Sequence, residues 1–341
     1  MEHEISLRSA RNIVENLDPS YDQVLIGITK QGTWHLCSAV DTDIEAGRPI
    51  SLNLTSPAKG IFLDKEGTAL QVDLVFPVLH GTDGEDGSIQ GMFKAVNVPM
   101  VGTGVLGSAI CMDKTATKQV LREVGVPVVP YRKYRKTDNV PSFDSLAREL
   151  GSPLMIKAGN LGSSVGVSKA SNAAEMSVAM EDSFRYADEI IVETFVEGQE
   201  VECAVIGNEE VSSTWPGEIL LSEEYGFYTY EAKYVDEKAI EMKIPANLSK
   251  DIQQEVRLLS EQAYKALRCS DFARVDLLVS KEGEVFVNEI NTIPGFTNAS
   301  MFPVLWENMD LSYRDLLTKL LNLAFDRWNR ENTLEREYLN A

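Results

Sequence analysis

The sequence predicts an α/β protein: an N-terminal α/β domain up to about residue 103, followed by a region with a different pattern of helices and strands. Three observations lead there. Helical periodicity alternates with short apolar runs up to about residue 103. After Asp113 the pattern changes, and the apolar runs Leu154 to Lys157 and Ile190 to Glu193 end in charged residues. Near the C-terminus, Val275 to Val279 and Val285 to Val287 flank Lys281-Glu282-Gly283, a turn between two antiparallel strands.

Residues 5–17 carry Ala10, Ile13, Val14 and Leu17 at helical spacing, and Val24 to Ile28 reads as a strand. Val72 to Leu79 is a continuous apolar run ending in His80-Gly81, as in a parallel strand covered on both faces. Val96 to Val101 is a further strand. The chain opens directly on a helix, with no strand before it. In the second unit Lys114 to Val124 and Asn172 to Asp182 are helices, the first stopped by Pro127. Glu200 to Ile206 and Glu218 to Leu221 are strands. Ser249 opens a helix to about Leu267, with Ile252, Val256, Leu259 and Ala263 on one face. Ser312-Tyr313-Arg314-Asp315 is a capping box with Asp in place of Glu, starting a helix to about Trp328.

Composition narrows the function. The net charge, 32 − 52 = −20, argues against a nucleic-acid surface or an anionic membrane as partner. Four widely spaced cysteines form no CxxC pair, which indicates reduced thiols in a cytosolic protein and neither zinc nor disulfides. No apolar run is long enough to span a membrane.

The chemistry concentrates in Asn288-Glu289-Ile290-Asn291-Thr292-Ile293-Pro294-Gly295-Phe296-Thr297. Glu289 and Asn291 are two apart on a strand and share a face. The hairpin brings Asp276 near Glu289, so three oxygen-bearing side chains converge, a set suited to Mg²⁺. Solvated acids on a surface hairpin are the plainer alternative, which the apolar flanks oppose. Gly159 to Gly166 is a Gly/Ser loop after the strand ending in Lys157. It is either a phosphate cradle or an ordinary turn; Lys157, a cation in need of a partner at an apolar strand end, favours the cradle. Asp113-Lys114 offers a second lysine at a helix start, by itself a common surface pair. Glu193 to Glu200 links two strands and is either an adenine and ribose contact or a simple linker. Phe227 to Tyr234 is an aromatic-rich loop with a lysine, suited to closing over a site or to packing on itself. His80 ends the apolar run where α/β ligand sites form, although a lone histidine there is more often structural.

These motifs in this order resemble the D-alanine–D-alanine ligases of the ATP-grasp superfamily. The likeness spans nearly the whole chain. It rests on Glu2-His3-Glu4-Ile5-Ser6-Leu7, His80-Gly81 with Gly84-Glu85-Asp86-Gly87, Gly162 to Gly166, Tyr228 to Tyr234, Asp271 to Asp276, and Asn288 to Thr297. It implies three domains: a Rossmann-like N-terminal α/β domain over 1–103, then two ATP-grasp subdomains over 104–192 and 193–341 that hold ATP between them. It implies Lys114, Lys157, Ser164 and Lys233 at the phosphates, Glu193, Thr194 and Val196 at the adenine, and Glu200 at the ribose. Asp276, Glu289 and Asn291 would hold two Mg²⁺ (or Mn²⁺) ions. Arg274 and the Gly295 amide would stabilise an oxyanion, and Glu2, Ser163 and Tyr234 would lie near the first D-alanine amine. His80 and Ser300 would face substrate carboxylates, with Met301 beside the second D-alanine. The implied reaction makes D-alanyl-D-alanine for peptidoglycan in the cytoplasm, from a homodimer. A D-lactate or D-serine ligase is the neighbouring alternative, although Lys233-Tyr234 and Ser300-Met301 look like the dipeptide-forming pattern.

The chain departs from the family pattern twice. Relatives carry a strand and glycine-rich turn before the Glu-His-Glu segment, so Glu2 is expected at a loose end, with a nucleotide-binding but ligation-deficient protein as a further alternative. Ala158 stands where relatives usually have proline, which predicts a looser strand end.

Overall fold

The computed structural model describes residues 2–41, 43–55, 61–160, 166–221 and 240–335. Its first unit begins with α1 (His3–Asn16), followed by β1 (Leu25–Ile28), β2 (Trp34–Cys37), β3 (Arg48–Leu52), β4 (Phe62–Asp64) and β5 (Ala69–Leu70). These strands form one antiparallel meander in the order of the chain. Phe62 and Phe93 are buried beneath it in edge-on contact with each other, and Trp34 packs against both. Phe93 comes from α2 (Ser88–Ala95).

Two expected strands are not regular strands. Val72 to Leu79 and Val96 to Val101 meet only in a parallel bridge, Val75 to Met100. Val75 N–H donates to Pro99 O and Val101 N–H to Val75 O, both at 2.9 Å. Val96 caps the end of α2, and Asn97 turns the chain with φ 54°, so a ladder cannot start earlier. On its other side the 71–80 segment lines a cavity of about 1580 Å³. Across that cavity lies β1, which pairs with β2 alone among the described residues. The parallel character expected of this domain is confined to that one bridge.

The second unit has α3 (Val105–Met112), α4 (Lys114–Glu123), β6 (Tyr131–Arg135), α5 (Phe143–Leu150), β7 (Leu154–Ala158), β8 (Val167–Ala170), α6 (Ala173–Ser183) and β9 (Glu189–Thr194). The sheet order is β6-β9-β7-β8, all antiparallel. Both longer helices start on side-chain caps: Asp113 accepts from Ala116 N–H and Asn172 from Glu175 N–H. The end of β7 is tied, contrary to expectation, because Ala158 N–H donates to Gly166 O at 3.2 Å. A proline there would have no N–H to give.

The third unit continues with β10 (Gly198–Gly207), β11 (Val211–Ser213), β12 (Gly217–Leu221) and β13 (Ile240–Lys243). After these come α7 (Lys250–Ala266), β14 (Phe272–Ser280), β15 (Val285–Asn291), α8 (Met301–Glu307) and α9 (Tyr313–Asn332). The antiparallel sheet runs β13-β12-β10-β14-β15, with β11 on β10. Val256 and Ala263 of α7 are buried against Val201, Cys203, Val275 and Leu277. On the sheet's other side Phe272, Phe296 and Phe302 stack at 5.4–5.5 Å with the apolar face of α9. Ser249 and Ser312 cap their helices through Ile252 N–H and Asp315 N–H, as the spacing predicts. No helix among the described residues is long and apolar enough to cross a membrane. The four cysteines are unbridged.

Candidate active site

The β14–β15 hairpin sets Asp276 directly opposite Glu289 and Arg274 opposite Asn291. On its other edge β14 places Asp276 opposite Glu202 of β10. Three carboxylates therefore form a row across three strands, because cross-strand partners share a face. A register shift between Asp276 and Leu277 breaks the ladder beside the row. Arg274 neutralises part of the charge. Its Nε lies 2.7 Å from Asp276 Oδ1 and 2.9 Å from Glu202 Oε2, and its second nitrogen donates to Asp276 Oδ2 at 2.7 Å. This two-pronged contact is the strong form of an arginine–carboxylate pair.

Asp276, Glu289 and Asn291 supply hard oxygen donors. Asn291 Nδ2 and Asp276 Oδ2 are 2.9 Å apart. Neighbouring oxygens around an octahedral Mg²⁺ at ~2.05 Å are separated by about the same distance. Rotating the amide by 180° would bring Asn291 Oδ1 to that place. The donor set thus fits a magnesium ion. It contains an asparagine, and among the described residues no group of three His, Cys, Asp and Glu is arranged for a metal.

The second unit faces this row with lysines. Lys114, the first residue of α4, reaches Glu289 Oε2 at 3.4 Å, and its N–H is fixed by Gly159 O at 2.8 Å. Lys157 of β7 donates to Asn288 Oδ1 at 3.1 Å and meets Glu193 Oε2 at 2.7 Å. Burial opposes the charge on Lys157, but Glu193, with Glu289 and Glu200 behind it, raises its pKa above the ordinary value. Glu193 is itself buried, which disfavours its charge, yet Lys118 and Lys157 together bring it down to about 2. Thr194 ends β9, its N–H held by Pro130 O, and Val196 follows in the short link to β10, where Glu200 lies.

The first unit closes the third side. His80 Nδ1 donates to Ile293 O at 2.9 Å, since a carbonyl can only accept; Nε2 therefore accepts from Ser9 Oγ at 3.0 Å. Burial lowers this imidazole to about 4, so it is neutral at pH 7 and both its nitrogens are engaged. Glu85 Oε2 accepts Gly81 N–H at 2.8 Å, and burial raises its pKa to about 8, with nearby Glu2 adding to the shift. Glu2 is held and not loose: its carbonyl accepts Ser6 N–H at 2.9 Å. Its carboxylate fills the space that a side chain on Gly81, at φ +87°, would need. Gly295 lies against Ser300, where an added Cβ would come within 2.7 Å of Ser300 Oγ. Ser300 Oγ accepts Thr297 N–H at 3.0 Å. Met301 is buried in the apolar cluster of α8 and α9.

The structure thus gathers Glu2, His80, Lys114, Lys157, Glu193, Arg274, Asp276, Glu289, Asn291 and Gly295 around the meeting of three units. Ser163, Ser164, Lys233 and Tyr234 lie outside the described residues. Glu202, Lys118, Asn288 and Glu85 were not singled out from the sequence. Glu202 had a signal, because Glu200 and Glu202 are two acids at period two in an otherwise apolar strand. Lys118 had none.

A pair of lysines facing an acidic hairpin across two antiparallel sheets is the arrangement expected of an ATP-dependent ligase of the ATP-grasp type. The comparisons are consistent with that class. The family model for the D-ala D-ala ligase C-terminus matches residues 120–322, and that for the N-terminus matches residues 1–103. The chain belongs to the D-alanine–D-alanine ligase family. D-alanine–D-alanine ligase of Shouchella clausii is 44% identical across 98% of this chain and 94% of that protein. D-alanine–D-alanine ligase A of Escherichia coli K12 is 42% identical across 98% and 95%. The D-alanine-D-alanine ligase structure from Coxiella burnetii superposes with a TM-score of 0.86 at 35% identity, covering 98% of this chain and 94% of that one. VanG D-Ala:D-Ser ligase from Enterococcus faecalis gives 0.85 at 35% identity, with 95% and 96% covered.

Proposed function

We propose that this chain joins two molecules of D-alanine at the expense of ATP, in the cytoplasm, for peptidoglycan synthesis. The carboxylate of the first D-alanine attacks the γ-phosphorus, giving an acyl phosphate and ADP. The amine of the second attacks the acyl carbon, the C–O bond to phosphate breaks, and phosphate leaves with the bonding pair. The observation that carries the reading is the Glu202–Asp276–Glu289 row with Arg274, faced by Lys114 and Lys157.

In this reading Lys114 and Lys157, with Lys233 and Ser164, bind the phosphates. Glu193, Thr194 and Val196 line the adenine and Glu200 holds the ribose. Asp276, Glu289 and Asn291 hold Mg²⁺ or Mn²⁺, two ions in all, which when bound neutralises phosphate charge and polarises the transferring group. Arg274 and the Gly295 N–H are preorganised donors for the oxyanion of the second step. Glu2, Ser163 and Tyr234 orient the first D-alanine, His80 and Ser300 face carboxylates, and Met301 borders the second D-alanine. Neutral His80, both of its ring nitrogens already engaged, acts there as a shaped wall. A homodimer belongs to the same reading on family likeness, and light scattering tests it.

The similarity to a D-Ala:D-Ser ligase makes the second substrate the point to test. Phosphate release and product would be followed with ATP plus D-alanine, L-alanine, D-alanine with D-serine, and D-alanine with D-lactate. D-alanyl-D-alanine from D-alanine alone is expected. A mixed product outcompeting it at equal concentrations would overturn the assignment of D-alanine, and ATP binding without release would favour the ligation-deficient alternative.

A further inference from the structure

Lys118 has no part in the scheme above, yet it is one of the most deeply buried cations of the chain. It lies one turn beyond Lys114 on α4, with its side chain 1% exposed, and its Nζ is 2.7 Å from Glu193 Oε1, whose side chain is also 1% exposed. The contact is off the ideal hydrogen-bond direction, so Coulomb attraction carries it. The ammonium also sits 5.8 Å from the centre of the Tyr131 ring. The other oxygen of the same carboxylate holds Lys157 at 2.7 Å. Register explains the triangle. Glu193 of β9 pairs with Met155 of β7, so Lys157 is its diagonal neighbour on the same face, while α4 supplies Lys118.

The two lysines differ in what else they can reach. Lys157 also touches Asn288, at the start of the acidic motif, and thus stands at the edge of the proposed phosphate site. Lys118 is enclosed. A buried carboxylate stripped of its only cation is strongly disfavoured. If Lys157 were the sole partner of Glu193, moving it to a phosphate would leave that charge bare.

We propose that Lys118 is a positioning residue: it is the fixed counter-ion of Glu193 and frees Lys157 to engage a phosphate of ATP. Glu193 then keeps an ionic partner throughout the cycle, and Lys157 passes between carboxylate and phosphate. The inference rests on the reading of Lys157 as a phosphate-binding residue.

The test is direct binding of ATP and of adenosine, which has no phosphate, by calorimetry on the full-length chain. Lys118→Met is expected to weaken ATP at least tenfold while adenosine changes less than threefold, because only the phosphate needs Lys157 released. Lys118→Arg, which keeps the charge, should recover most of the ATP affinity. In a Glu193→Gln background the loss caused by Lys118→Met should shrink to under threefold, since no buried carboxylate remains for Lys118 to compensate. If Lys118→Met alone fails to fold, this paired comparison carries the test. Equal losses for ATP and adenosine, or a full tenfold loss persisting in the Glu193→Gln background, would overturn the proposal. Lys157→Met separates the underlying reading: unchanged ATP affinity in that variant would remove Lys157 from the phosphate site, whatever Lys118 does.

Discussion

Asp276, Arg274 and Glu202 illustrate what a single residue must satisfy in this site. Both acids are buried and tolerated because one guanidinium serves both. Glu289 is the more accessible carboxylate, paired with Lys114 at 3.4 Å. Glu289→Gln keeps its shape and removes its charge. It should lower kcat/KM by ~100-fold or more with little change in thermal midpoint; wild-type-like turnover would remove it from the proposed metal-binding set. Glu85 and His80 make a pH prediction. The folded-state pKa of Glu85, about 8, lies above its ordinary 4.5, so its stabilising contribution is complete at low pH and is lost as pH rises toward 8. His80, lowered from 6.5 to about 4, acts in the opposite sense: stability is lost as pH falls through that window. Between pH 6.5 and 8 only Glu85 of the pair still titrates. The metal-free protein should lose on the order of 2 kcal/mol there, and Glu85→Gln should flatten that slope in urea titrations at the two pH values. The facing of Asp276 and Glu289 was legible because both belong to one hairpin. The neutrality of His80 was not, since it comes from burial, which depends on segments far away in sequence.

Among the elements, helix starts were the most legible, because a cap needs only its own next three residues. Ser312 Oγ accepts Asp315 N–H, and its hydroxyl donates to Asp315 Oδ2 at 2.6 Å, so the shorter Asp side chain holds the cap hydroxyl. Ser312→Ala should cost about 1 kcal/mol by chemical denaturation; no loss would mean that packing alone sets the start of α9. Strands in the first unit were less legible. Val72 to Leu79 has the composition of a buried strand, yet a ladder needs a neighbour in register, and Val75 to Met100 is the single bridge. In the third unit the apolar runs of β10 and β14 found each other over nine consecutive pairs, from Gly198–Ser280 to Ile206–Phe272.

The whole molecule is held by a contact that no local pattern announces. Arg327 of α9 donates to Met100 O at 2.7 Å and Gly102 O at 3.0 Å, and forks onto Asp271 at 2.8 and 3.2 Å. Asp271 is fully buried at φ 63° and also receives Gly102 N–H and Asn208 Nδ2. This clamp joins the end of the first unit to the third. Arg327→Met would leave Asp271 without its cation and should cost about 3–5 kcal/mol, read as a lower urea midpoint; a loss under 1 kcal/mol would show that Asn208 and Gly102 suffice. By itself the sequence determined the α/β class, the capped helices and the hairpin that opposes Asp276 to Glu289. Each depends on side chains within a few turns or one hairpin of one another. Only the tertiary structure decided that Glu202 completes the acidic row, that Lys118 and Lys157 share Glu193, and that Arg327 clamps Asp271. Those contacts join positions in different elements of the chain, and buried charges select their partners by enclosure and distance, which no periodicity along the chain encodes.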